Sequence, residues 1–131
     1  MKETSAYGSN LLRQPLGYRQ QSHRRKVTRN RLIDLGIALE QQQVTLLMSV
    51  TETDDRQYSV LAQLHPANGD RYLAPQITFS LLFETGELQQ QVKTRAQDNY
   101  IQLAPFKRPV GTCFTIEIQF KGVCFSETFE L

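Results

Sequence analysis

Long apolar runs are the first thing this sequence lacks. Stretches such as Leu46-Leu47-Met48 fall far short of the roughly 20 residues that a bilayer-spanning helix needs, so a soluble protein is expected. Leu11 and Leu12 are followed at once by Arg13, Gln14 and Pro15, which leaves no apolar stretch of about 7 to 15 residues for a secretory signal. Gly8, Pro15 and Gly17 likewise deny this segment the sustained amphipathic helix of a transit peptide. Cysteine is scarce too. Cys113 and Cys124 are too few for a disulfide framework, and their spacing matches no zinc or redox motif, so reduced thiols in a cytoplasmic protein are expected. A Gly-rich phosphate loop, a nucleophile elbow, a paired-histidine zinc motif and a dinucleotide fingerprint are all missing. We therefore expect no catalytic residues, no metal ligands and no cofactor.

Charge is unevenly divided. Residues 1 to 31 hold eight basic groups against the single acid Glu3, a net +7, while the remaining hundred residues carry −5. The overall +2 thus hides a polarised molecule in which only the N-terminal part would attract polyanions. Its apolar residues are scattered and cannot offset an ordering cost of roughly 1–2 kcal/mol per residue, so residues 1–31 read as a disordered basic arm. Its dense portion includes Arg24, Arg25, Lys26, Arg29 and Arg31, which could neutralise phosphates or meet an acidic protein. Tyr7 and Tyr18 lie outside that cluster, so a base-stacking platform is not expected.

From Leu32 onward the apolar residues recur with period two, as in half-buried strands. Ile33 to Leu39 and Val44 to Val50 alternate around the polar run Glu40-Gln41-Gln42. Tyr58 to Leu64 makes a third strand, ended by His65-Pro66. Asn68-Gly69 marks a turn in the longest loop, after which Ile77 to Phe83 and Leu88 to Ala96 flank the hairpin signal Glu84-Thr85-Gly86-Glu87. Tyr100 to Leu103 is short, and Pro105, Pro109 and Gly111 hold a loop. Phe114 to Phe120 and Val123 to Leu131 are joined by Lys121-Gly122 as a two-residue turn. Eight strands without a helix predict an all-β fold, an antiparallel two-sheet β-sandwich over residues 32–131. A five-stranded oligonucleotide-binding barrel is the alternative, and it would require several strands to merge.

The Lys121-Gly122 turn sets a register in which Phe120 faces Val123 and Cys113 faces Glu130. Phe114, Ile116, Ile118, Phe120, Phe125 and Phe129 then share the core face, and the two thiols lie too far apart to bond. Glu127 falls on that face as well, so it must lie at the rim or be paired.

Three sets of polar residues are of the types that carry chemistry. His23 and His65 are far apart, so a hydrolase built on Cys113 or Cys124 would need one of them in a shared pocket. Strand alternation places Asp70 and Asp98 at the opposite end from Glu52, Asp54 and Asp55, leaving too few oxygens at either end for calcium. Arg95, Gln97, Asp98 and Asn99, with Tyr100 and Gln102, form a polar patch that could be a binding surface on loops. The plainer reading is that Asp98 and Asn99 bond their own turn while the Tyr100 hydroxyl reaches upstream backbone.

Several segments carry a resemblance: Arg31-Leu32-Ile33-Asp34-Leu35-Gly36, Gln63-Leu64-His65-Pro66, Tyr72-Leu73-Ala74-Pro75, Gly86-Glu87-Leu88-Gln89, Gln97 to Leu103, and Gly111-Thr112-Cys113-Phe114. Residues 31 to 131 resemble the C-terminal domain of a cyanobacterial family of uncharacterised proteins, DUF1822, whose longer members carry a helical N-terminal region. The family has no established activity. The resemblance implies a regulatory or adaptor role in signalling through protein–protein binding, in a bacterial cytoplasm and away from membranes. Nucleic-acid binding through the basic arm is the second reading.

Overall fold

The computed structural model describes residues 23–26, 31–39, 42–53 and 55–131, with the backbone alone at 23–26 and 31–32. The strands are β1 (His23–Lys26), β2 (Arg31–Leu39), β3 (Gln42–Glu52), β4 (Gln57–Pro66) and β5 (Thr78–Phe83), followed by β6 (Leu88–Lys93), β7 (Ile101–Gln102), β8 (Phe106–Pro109), β9 (Cys113–Phe120) and β10 (Val123–Glu130). They form two sheets. One runs β1-β10-β9-β5-β6, and the other β2-β3-β4-β7 with β8 also pairing β4. The described residues include no helix, hence none long and apolar enough to cross a membrane.

Period-two alternation builds the core. In β3, Val44, Leu46, Met48 and Val50 are buried, and in β4 so are Tyr58, Val60, Ala62 and Leu64. Facing them are Phe79 and Leu81 of β5 with the apolar faces of β9 and β10. The β9–β10 register is the expected one, from Val123 opposite Phe120 to Glu130 opposite Cys113. Lys121 and Gly122 both have positive φ, 48° and 83°, the conformation of a two-residue turn that follows the twist of its strands. Glu127 is the buried carboxylate on the core face, 3% exposed, and it is partnered. Both cysteines are half-buried and outside any disulfide.

Two strands depart from the sequence reading. Phe106–Pro109 is a strand, not a loop, pairing with Gln57–Val60 of β4. Pro109 is its last residue on a sheet edge, where no ladder donor is required. His23–Lys26 lies within the segment expected to be an unstructured arm, yet it pairs in parallel with Glu127–Glu130, the one parallel pairing among the described residues. Strand pairing therefore begins upstream of the expected boundary at Leu32. Residues 1–22 and Arg29 lie outside the described residues, as do the side chains of Arg24, Arg25, Lys26 and Arg31.

Candidate functional site

The sandwich has two ends of different character. At one, Arg108 lies 4.0 Å from the Phe83 ring and donates through Nη2 to Glu84 Oε1 at 3.3 Å. Glu84 Oε2 accepts from the Cys113 backbone N–H at 3.1 Å. Phe106 meets Phe114 edge-on at 5.2 Å, and Phe114 stacks on Phe129 at 5.3 Å. The Arg108 Nε is buried without a hydrogen-bond partner. These contacts seal the core and leave little for a partner to grip.

The other end gathers the 67–77 loop, the 94–100 segment and the end of β4. Leu73, buried, anchors the long loop, and its N–H donates to Asp98 O at 2.8 Å. Gln42, at the head of β3, bonds three loop groups: its Nε2 donates to Asp70 Oδ2 at 3.1 Å and Tyr72 O at 2.8 Å, while its Oε1 accepts from Ala74 N at 2.9 Å. The buried Thr94 hydroxyl donates to Ala74 O at 2.7 Å and accepts from Ile77 N at 2.8 Å. These bonds tie the loop at Tyr72, Leu73, Ala74, Gln76 and Ile77 to β3 and to the 94–98 segment.

The exposed side chains at this end include two aromatics. Tyr72 is 40% exposed, with the Arg71 guanidinium 5.8 Å from its ring centroid, and Tyr100 is 48% exposed. The Tyr100 ring stacks on His65 at 5.3 Å with planes 9° apart. His65 Nε2 lies 2.9 Å from Gln63 Oε1, and Gln63 Nε2 donates to Gln102 Oε1 at 2.8 Å. With that oxygen as acceptor, the proton sits on Nε2 of His65. Gln76 and Gln97 hold positive φ at this end, 74° and 70°, a conformation that non-glycine residues adopt at some cost and that clusters at functional sites.

The expected patch is brought together here, in modified form. Asp98 does bond its own turn: its Oδ2 accepts from Arg95 N at 2.7 Å, and its Oδ1 lies 3.5 Å from Arg95 Nη2. Gln97 and Asn99 are exposed. The Tyr100 hydroxyl does not make the upstream backbone bond expected of it among the described residues; the ring packs on His65 instead. Tyr72 belongs to the same surface and was missed, because only the contacts of Gln42, thirty residues away, reveal it. Asp70 and Asp98 do lie at the opposite end of β3 from Glu52.

Two open depressions of about 370 and 390 Å³ flank this picture, one including Cys124 and the other Cys113; no histidine lines either. Among the described residues, no three side chains converge as metal ligands. The geometry offers an exposed aromatic and polar surface at this end.

The class defined by these features is an all-β sandwich of two sheets. Residues 3–130 match the family model described as a protein of unknown function (DUF1822), and the chain belongs to that family. The match takes in most of the basic N-terminal segment as well as the sandwich. No curated protein and no solved structure matches the chain.

Proposed function

We propose that this chain is a non-enzymatic interaction module that binds another protein through the loop end carrying Tyr72 and Tyr100. One observation carries the reading: two exposed tyrosines stand at this end, Tyr72 on backbone bonded by Gln42 and Tyr100 with its ring stacked on His65. Tyrosine and arginine are enriched at binding hot spots because they bring contact area at low entropic cost, and Arg71, Arg95, Gln97 and Asn99 surround them. Backbone held in place at Tyr72 lowers the cost of association further. In this reading the module serves signalling in a bacterial cytoplasm, as the resemblance to the C-terminal domain of a cyanobacterial family implies.

The test compares capture of lysate proteins by the wild type, by Tyr72→Ser/Tyr100→Ser, and by Leu88→Ser, which removes an exposed apolar side chain of β6. Affinity for the captured protein should fall by roughly 10- to 30-fold for each tyrosine lost and hold for Leu88→Ser. Equal binding by all three folded proteins refutes the proposal.

A further inference from the structure

Four strand edges close the two sheets, and three of them are guarded. β1 is four residues long. β6 packs its Gln90 amide onto both backbone groups of Ala104, at 2.9 and 2.7 Å, and the strand it pairs with shifts register between Leu81 and Leu82. The opposite edge of the second sheet is the two-residue β7 followed by β8, with Pro105 between them and Pro109 at the end. Short strands, prolines, bulges and covering contacts are the means by which sheets avoid edge-to-edge pairing.

Among the described residues, β2 has none of these. Its nine residues run in unbroken register with β3, from Arg31 opposite Val50 to Leu39 opposite Gln42. It contains no proline, and after Arg31 its one charged residue is Asp34. Among the described residues nothing pairs with its outer flank. Gly36 adds an independent observation. It needs no positive φ, and a Cβ placed there would meet nothing within 4 Å. A glycine inside a strand costs roughly 0.5–1 kcal/mol relative to alanine and marks places where another backbone comes close. The ladder partner of Gly36 is Thr45 of β3, and on its other flank no described strand pairs with it.

We propose that β2 pairs antiparallel with β2 of a second copy, joining the two β2-containing sheets into one continuous sheet across a two-fold axis. The strand's own pattern selects this occupant. Inner faces stay inner only if the axis passes through a residue, because a one-residue slip reverses every side chain. An axis at Leu35 overlaps all nine residues. It sets Ile33 of each copy against Ile37 of the other, the half-buried Leu35 against its counterpart, and Asp34 against Gly36. Moving the axis to Asp34 would face two carboxylates directly; moving it to Gly36 or Ile37 shortens the overlap.

This register leaves the two Asp34 carboxylates diagonal to one another, roughly 7–8 Å apart. Their repulsion keeps the dimer weak at neutral pH, and a single strand pair is small beside the standard interface of about 1,600 Å². The contact is therefore a concentration-dependent association.

Sedimentation velocity on the full chain, from about 1 μM to 1 mM, should show a monomer–dimer equilibrium. Asp34→Asn should tighten it by about five- to ten-fold. Register is read separately with a short bismaleimide in a Cys113→Ser/Cys124→Ser background. Leu35→Cys should crosslink copy to copy. Ala38→Cys should not, since the register places the two Ala38 positions about 20 Å apart. A protein that stays monomeric throughout, Asp34→Asn included, overturns the proposal, as does crosslinking through Ala38→Cys equal to that through Leu35→Cys.

Discussion

Replacing Thr94 by valine is nearly isosteric and adds apolar surface, so hydrophobic burial alone would predict no loss. The hydrogen bonds predict the opposite. Thr94 is 1% exposed, and its hydroxyl joins Ala74 O to Ile77 N. Valine strands a buried Ile77 N–H, at about 1–3 kcal/mol for an unsatisfied donor, and removes a bond to the half-buried Ala74 carbonyl worth about 0.5–1.5 kcal/mol. The expected loss is about 2–4 kcal/mol, or a Tm lower by roughly 10 °C or more. Thr94→Ser keeps the hydroxyl and deletes one methyl, a loss of about 1 kcal/mol. The chain has no tryptophan, so urea unfolding is followed by far-UV circular dichroism and tyrosine emission. A Val variant as stable as the Ser variant would refute the view that this hydroxyl pins the loop end. The Val variant should also lose part of the partner binding proposed for Tyr72, because Ala74 follows Tyr72 closely in the loop.

Other outcomes follow from single positions. Gly122→Ala should lower stability by about 1–2 kcal/mol in calorimetry, since φ of 83° places a Cβ in the left-handed region. The Asp55 carboxylate accepts from the Thr53 hydroxyl, which chiefly holds its pKa below the ordinary 3.8, with its own backbone N–H next in weight. A depressed folded pKa means that its contribution is complete above the unfolded value and is lost as pH falls through the folded one. An NMR titration should find the Asp55 midpoint below 3.8 in the wild type and raised in Thr53→Ala. An unchanged midpoint would remove Thr53 as the cause.

Patterns read from neighbouring residues were legible in the sequence. The Lys121-Gly122 turn was enough to give the β9–β10 register and the buried set from Phe114 to Phe129, because side-chain period and turn length leave no other choice. Asp98 bonding its own turn was readable for the same reason. Features made by distant contacts were not legible. The His23–Lys26 segment carries no apolar alternation, and its pairing with β10 comes from the edge that β10 offers it. Phe106–Pro109 sat between prolines that argue for a loop wherever the edge position is unknown. Tyrosines at strand heads can bond upstream backbone, whereas the neighbouring His65 ring, a distant contact, offers Tyr100 a stack instead.

The parallel pairing of β1 with β10 also orders events in time. β2, β3 and β4 pair as sequence neighbours, so this meander can form while loops are short and closure is cheap. β5 pairs with its neighbour β6 in the same way, but its other edge must wait for β9. β1 joins a strand about a hundred residues away, and its slot exists only once β10 lies on β9. During vectorial synthesis the earliest of the described strands would thus be the last to find its place, and until then the flank of β10 would stand open to solvent.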